Sequence, residues 1–135
     1  MDATLPGLGA LTLFVEDLDS STSFYRDVLG LPVVHQDEDS TVVDLGNTLV
    51  NLLQTEAAHD LVGPASVAAP GGGVRMQLTA WVDDVDPHTA LLRSRGVELL
   101  NGPVDRPWGK RTAAFTDPSG TVWEVAQDLP NKPAG

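Results

Sequence analysis

The chain has 135 residues, 41% of them hydrophobic and none of them cysteine. This is the size of one ordinary soluble domain, and it excludes disulfides, Cys-ligated zinc, iron–sulfur clusters and thiol nucleophiles. Nineteen acidic residues against eight basic ones give a net charge of −11, so neither nucleic acid nor a membrane is an expected partner. The chain shows neither an apolar run of about 20 residues nor a secretory signal, so we expect a cytoplasmic location.

The first half of the chain predicts one strand, one helix and three more strands. Residues 11–15 alternate like a strand, and the helix that follows should end at Gly30. Its apolar face holds Phe24, Tyr25, Val28 and Leu29. A second strand is expected at 31–35, and a hairpin joins strands at 42–47 and 48–54. This half, residues 1–54, therefore forms a β-α-β-β-β module.

Residues 55–75 join the two halves. They include the sequence Ala-Ala-Pro-Gly-Gly-Gly at 68–73. Glycine and proline at this density indicate a flexible linker rather than a regular element.

The second half repeats the pattern of the first. The sequence Val-Glu-Asp-Leu-Asp at 15–19 recurs as Val-Asp-Asp-Val-Asp at 82–86, again after an alternating strand. A helix with Asp86 as its N-cap should end at Gly96. The further strands are expected at 97–100, 112–117 and 121–127, with Asp-Pro-Ser-Gly as the last turn. Residues 76–128 thus form a second module, residues 129–135 a frayed tail, and the two modules together one domain.

Three segments resemble a known family. They are LTLFVEDLDSSTSFYRDVLGL at 11–31, WVDDVD at 81–86 and RTAAFTDPSGTVWEVAQ at 111–127. They are similar to the vicinal oxygen chelate superfamily, which includes glyoxalase I, bleomycin-resistance proteins and extradiol dioxygenases. The resemblance implies an α+β fold with eight strands in a curled mixed sheet around a cavity. It also implies a homodimer, in which the modules pair within one chain or are exchanged between chains.

The resemblance also indicates where a metal would be held. In metal-using members, the first and last strands of each module carry ligands, commonly His and Glu. These positions correspond here to Ala10, Asn51, Gln77 and Glu124. Alanine cannot bind a metal, amides are weak ligands, and only Glu124 is a strong donor. We therefore predict no metal cofactor; if one were bound, Glu124, Gln77 and Asn51 would hold it.

The three histidines do not supply the missing ligands. They fall in a predicted second strand, in the linker and at a helix start, and they are His35, His59 and His88. We expect all three to be surface residues.

Glu124 stands in an apolar strand with its side chain predicted to face the cavity. Three roles are open for it. It could act as a general acid or base, or accept a hydrogen bond from a ligand. It could also pair with Arg111, because a hairpin in which residue 113 opposes Glu124 brings Arg111 diagonally across on the same face.

The aromatic residues suggest a binding pocket. Strand alternation places Phe14 and Trp81 on the cavity face, where ligand stacking and core packing are both possible. Phe115 is expected to share the face of Glu124. Trp108, in the sequence Arg-Pro-Trp-Gly-Lys, is expected to fold over the mouth of the cavity. Trp123 should point to the helices and belong to the core.

Two functions follow from these patterns. The first is a metal-free binding protein of the bleomycin-resistance type, which sequesters an aromatic or cationic compound. Its cavity would be lined by Phe14, Asn51, Gln77, Trp81, Trp108, Arg111, Phe115 and Glu124. The alternative is a glyoxalase-type lyase or isomerase, or a dioxygenase, with Glu124 as metal ligand or general base. A role through protein contacts alone fits less well with a cavity where polar groups converge.

Overall fold

The computed structural model describes residues 5–130, which divide into two compact units with the boundary between Gly72 and Gly73. Each unit contains a four-stranded mixed sheet and its helices. The predicted α+β fold of two β-α-β-β-β modules is therefore confirmed, with the eight strands in two sheets. Of the predicted tail at 129–135, residues 131–135 lie outside the described residues. Within the described range, none of the helices is long and apolar enough to cross a membrane.

The first unit has four strands in the order β1-β4-β3-β2, with β1 parallel to β4 and the other pairs antiparallel. The strands are β1 (Ala10–Val15), β2 (Val33–Gln36), β3 (Ser40–Asp44) and β4 (Leu49–Gln54). Helix α1 (Leu18–Ser23) begins where the Asp17 side chain accepts a hydrogen bond from the backbone N–H of Ser20, and it continues as a π-helical segment (Phe24–Val28). Gly30 follows with a positive φ of 72°, so the helical segment stops near the predicted glycine.

Helix α1 covers one face of the first sheet. Alternate residues of the strands point toward it and are fully buried, among them Val15, Val43, Val50 and Leu52. The hydroxyls of Thr22 and Thr41 lie 2.8 Å apart and join the helix to β3. The remaining strand residues point to the opposite face, where α1 does not cover them.

The segment predicted to be a linker begins with a helix. Helix α2 (Thr55–Val62) follows β4 directly and buries Ala58, and it packs near β1 and β4. The prediction missed α2 because the linker inferred from the Gly/Pro-rich sequence at 68–73 was assumed to begin at residue 55. The residues of α2 have good helix propensity. Residues 63–75 contain no helix or strand.

The second unit repeats the topology, with the order β5-β8-β7-β6 and with β5 parallel to β8. Its elements are β5 (Gln77–Trp81), α3 (Val85–Ser94), β6 (Leu99–Asp105), β7 (Lys110–Thr116) and β8 (Val122–Asp128). The N-cap of α3 is Asp84, whose side chain accepts from the backbone N–H of Asp86, so the predicted cap at Asp86 is wrong by two residues. The predicted end at Gly96 and the turn at Asp117 are confirmed.

Helix α3 covers one face of the second sheet, here called the helix-covered face. Phe115 and Trp123 lie opposite each other in the β7–β8 register and are buried on this face. Val85 and Leu92 of α3 are also buried, and Gln127 accepts a hydrogen bond from the backbone N–H of Val85 at 2.6 Å. These contacts give the second unit its own hydrophobic core.

Strand β6 is irregular, because its register against β7 shifts twice between Leu99 and Val104. Gly102 lies inside this stretch with a φ of 83°. A Cβ atom at Gly102 would lie 2.3 Å from the carbonyl oxygen of Thr112. The close approach of the two backbones therefore requires glycine at this position.

Candidate functional site

The face of the second sheet that points away from α3 carries three of the eight predicted site residues, and it is called the helix-free face below. Strand pairing places Thr79 beside Glu124 and Trp81 beside Ala126 on this face. The residues that strand pairing places on this face are Gln77, Thr79, Trp81, Asn101, Val104, Lys110, Thr112, Ala114, Thr116, Val122, Glu124, Ala126 and Asp128. Of the predicted site residues, Gln77, Trp81 and Glu124 are brought together here.

Glu124 is half-buried near the middle of the helix-free face. One of its carboxylate oxygens accepts a hydrogen bond from the hydroxyl of Thr79 at 3.0 Å. Its neighbour in β7 is Ala114, not residue 113 as the sequence suggested. A shift of one residue moves every side chain of a strand to the opposite face, and so it changes which residues can reach Glu124.

Arg111 consequently lies on the helix-covered face, and the predicted Arg111–Glu124 ion pair is wrong. Its guanidinium donates to Asp86 at 2.9 Å and to Asp105 at 2.8 Å. The hydrogen bond to Asp105, and then the one to Asp86, hold the pKa of Arg111 above its ordinary value. Arg111 thus joins α3 to β6 rather than lining the predicted cavity.

Phe115 is also placed on the wrong face by the sequence prediction. It is 2% exposed and lies opposite Trp123, which belongs to the core as predicted. The same one-residue shift explains the error. Ala114, not residue 113, lies opposite Glu124, so Phe115 points to the other face of the sheet. Phe115 therefore stabilises the core and does not reach the helix-free face.

Trp81 is the most exposed aromatic residue of the helix-free face, at 71%. The ammonium of Lys110 lies 5.4 Å from the centre of its ring, and Lys110 also forms an ion pair with Asp128. An open depression of about 290 Å³ is found here, lined by Trp81, Val82, Asp83, Lys110, Ala126, Gln127 and Asp128. Lys110 is not among the predicted site residues, because its position across from Asp128 depends on the observed β7–β8 register and not on the predicted one.

Trp108 lies in the turn between β6 and β7 and is 62% exposed. The guanidinium of Arg106 is 5.8 Å from the centre of its ring. Arg106 Nε donates to the hydroxyl of Thr112 at 2.9 Å, and its NH2 donates to the side-chain oxygen of Asn101 at 3.0 Å. Arg106 is not among the site residues predicted from the sequence. The role of Trp108 as a cover over a pocket stays a prediction.

The remaining predicted site residues lie in the first unit. Asn51 pairs with Thr12 and Val42, and strand alternation puts Phe14 on the same face, away from α1. The side-chain oxygen of Asn51 is buried and has no hydrogen-bond partner among residues 5–130. Both residues therefore share one face of the first sheet, while the cavity at this face and a contact of either residue with a ligand stay predictions.

The three histidines are exposed, as predicted. His35 pairs with Asp37 at 3.1 Å beside the β2–β3 turn, and His59 and His88 lie on α2 and α3. None of them lies in a strand that carries the four candidate ligand positions.

Comparison with known proteins agrees with this fold and this arrangement of strands. The family model for the glyoxalase/bleomycin resistance protein/dioxygenase superfamily matches residues 7–125. The chain belongs to this superfamily. Among curated relatives, the protein YraH of Bacillus subtilis is 33% identical over 123 residues, which cover 88% of this chain and 96% of YraH.

Two solved structures illustrate the likeness of the fold. A glyoxalase/bleomycin resistance protein/dioxygenase from Nocardioides has a TM-score of 0.87 at 23% identity, covering 99% of this chain and 91% of its own. TnmS3, an antibiotic binding protein from Streptomyces sp. CB03234, has a TM-score of 0.72 at 25% identity, covering 94% and 98%. The first of these supports the fold alone.

The residues at the superfamily's metal positions do not fit a divalent metal ion. Ala10 offers no donor atom, and Gln77 and Asn51 offer only neutral amide oxygens. Glu124 is the single carboxylate, and one of its oxygens already accepts the Thr79 hydroxyl. Within the described part of the chain, no three His, Asp or Glu side chains are grouped so that they could hold a metal.

Proposed function

We propose that this protein binds a small planar aromatic compound on the helix-free face of the second sheet, holds it without a metal, and thereby sequesters it. The observation that carries the proposal is Trp81, a large aromatic side chain exposed on a sheet face between polar groups. A ligand stacked on this ring would bury apolar area on both partners and gain a favourable ring–ring contact.

The polar groups around Trp81 suit the edge of such a ligand. The Thr79–Glu124 pair lies on the neighbouring row of the same face, and the Lys110–Asp128 pair lies at its end. Binding sites for small molecules combine an apolar surface with a few placed polar groups that set orientation. Here Trp81 supplies the apolar surface, and the Thr79–Glu124 and Lys110–Asp128 pairs supply the polar groups.

A cationic ligand is less well supported than an aromatic one. Lys110 stands over the ring of Trp81, and Arg106 stands over the ring of Trp108. Each ring therefore already interacts with one cation of the chain, and a ligand cation nearby would be repelled by it. Of the two ligand classes expected from the sequence, we propose the aromatic one.

Membership in a superfamily that includes antibiotic-binding proteins supports a binding role. TnmS3 is named as an antibiotic binding protein, and the chain resembles it over nearly its whole length. We propose a similar task for this chain, in the cytoplasm and as a homodimer. Light scattering coupled to size exclusion tests the homodimer, and a mass equal to one chain would contradict it.

The proposal is tested by calorimetric titration of planar aromatic antibiotics and dyes into the wild type and Trp81→Ala. We expect saturable binding without a new product in mass spectrometry. Removing the ring should weaken binding by roughly tenfold, which corresponds to about 1.4 kcal/mol. Trp81→Phe keeps an aromatic face and should retain most of the affinity. Equal affinity in the wild type and Trp81→Ala would contradict the proposed site.

Glu124 favours one alternative function, an enzyme that uses it as a general acid or base. It is half-buried, it lies on the helix-free face, and no cation is paired with it among the described residues. If a compound is converted rather than held, Glu124→Gln should abolish turnover while the compound still binds. Turnover that survives in Glu124→Gln would rule out this role.

A further inference from the structure

The β6–β7 hairpin and its turn carry two arginines with opposite surroundings. Arg111 binds two carboxylates, those of Asp86 and Asp105. Arg106 takes part in none of the ion pairs found within residues 5–130. The exposed Arg75 and Arg93 also take part in none of these ion pairs, but Arg106 is half-buried, and an unpaired charge at a half-buried position calls for a cause.

The contacts of Arg106 are all with neutral groups. It donates to the Thr112 hydroxyl and to the Asn101 amide oxygen, and it stands over the ring of Trp108. A guanidinium has five N–H donors, and these two hydrogen bonds use two of them. The other three donors have no acceptor among the described residues, although Arg106 is half-buried. The contacts fix the orientation of the guanidinium and leave its charge unneutralised.

Arg106 is also within reach of a ligand on Trp81. Thr112, which holds the guanidinium, lies opposite Ala126, and Ala126 lies beside Trp81. Trp81 and Thr112 are thus two strand spacings apart, or about 10 Å. The residue between them, Ala126, is 1% exposed, so a flat molecule stacked on Trp81 would reach Arg106 by passing above the side chains that cover Ala126.

We propose that the ligand is an aromatic acid, and that Arg106 recognises its carboxylate. This inference rests on the proposed binding site and adds the chemical class of the ligand. A carboxylate accepts two parallel N–H donors from one guanidinium, which adds both charge and geometric specificity. The Thr112 and Asn101 contacts hold Arg106 in place before the ligand arrives, so little side-chain freedom is lost on binding.

The experiment uses two matched probes, 9-anthracenecarboxylate and its neutral amide, titrated by fluorescence into the full-length protein. The wild type should bind the acid about tenfold more tightly than the amide, since a charge-assisted bidentate contact replaces a neutral one. Arg106→Gln should lose this preference, with a much smaller change in its affinity for the amide than in its affinity for the acid. Arg106→Lys, which keeps the charge but not the fork, should retain only part of the preference.

Arg93→Gln, an exposed position on α3, is the matched control and should behave like the wild type. Circular dichroism and urea denaturation of each variant show that the fold is intact. If the wild type binds acid and amide equally, or if Arg106→Gln keeps the preference, the role of Arg106 is wrong while the proposed binding site stands. If neither probe nor any other planar aromatic compound binds, the binding site itself is wrong and this inference falls with it.

Discussion

The helix-covered face and the helix-free face of the second sheet are built from alternate residues of the same strands. On the helix-covered face, the aromatic residues are buried and Arg111 is held by two carboxylates. On the helix-free face, Trp81 is exposed and Arg106 has only neutral partners. The side chains of the helix-covered face have their packing and charge partners within the chain, so this face supports stability. On the helix-free face, the Trp81 ring and the Arg106 charge are available to a ligand.

The largest expected effect is on the free energy of unfolding, which should fall much more when an aromatic ring is removed from the helix-covered face than from the helix-free face. Phe115→Ala removes a buried ring from the helix-covered face and leaves a cavity, so it should lower the free energy of unfolding by roughly 3–5 kcal/mol. Trp81→Ala removes a ring of similar size that is already mostly exposed, and the loss should stay below about 1 kcal/mol. Urea denaturation measures both. Equal losses would show that the two faces do not differ in this way.

A smaller effect is expected from the two arginines. Arg111→Met leaves Asp86 and Asp105 without their shared cation and breaks the link between α3 and β6. The melting temperature should fall, and about 1 M salt should recover part of the loss by screening the two carboxylates. Arg106→Met leaves no carboxylate unpaired and should lower the melting temperature less.

The contribution of the Arg111 ion pairs to stability should depend on pH in a definite direction. The pKa of Arg111 is raised by Asp105 and Asp86, so its stabilising effect is fully present below the arginine pKa of the unfolded chain. It is lost only when the pH rises through the higher folded value. The difference in melting temperature between the wild type and Arg111→Met should therefore be constant from neutral to moderately alkaline pH. A difference that fades near pH 9 would contradict the assignment.

The smallest stability effect is expected at Asp128, whose side chain is 83% exposed. Asp128→Asn should change the free energy of unfolding by less than about 1 kcal/mol, since exposed ion pairs contribute little. The variant also removes a negative charge beside Lys110, so an aromatic acid should bind slightly more tightly. Titration with 9-anthracenecarboxylate measures this change, and weaker binding would argue against an acidic ligand.

The sequence predicted the order of the elements because the periodic apolar patterns and the turns are local signals. The stop at Gly96 and the turn at Asp117 depend on residues next to them in the chain, and both are confirmed. The alignment of β7 with β8 depends on the detailed geometry of that turn. Thr112–Phe115 offers small or apolar residues at nearly every position, so its pattern does not say which side chains face the helix.

The residues at the helix-free face were harder to predict for a related reason. Strand alternation predicts that Trp81 and Glu124 share one face of the sheet, and the pairing of β5 with β8 agrees. Arg106 and Lys110 flank a turn, where charged residues are common and carry no signal of their own. Their importance becomes visible only when the turn folds each of them over a tryptophan ring.

The two register shifts in β6 affect which changes of chain length the second sheet can tolerate during evolution. Each shift means that β6 carries one residue more than β7 needs at that point, while Asn101 and Asp105 still meet their partners on opposite faces. An extra residue can be lost without exchanging the faces of its neighbours, whereas a loss from a regular strand would exchange them. Among the strands of the second sheet, changes of length are thus easiest to accommodate in β6, in the same stretch where any side chain in place of Gly102 would collide with β7.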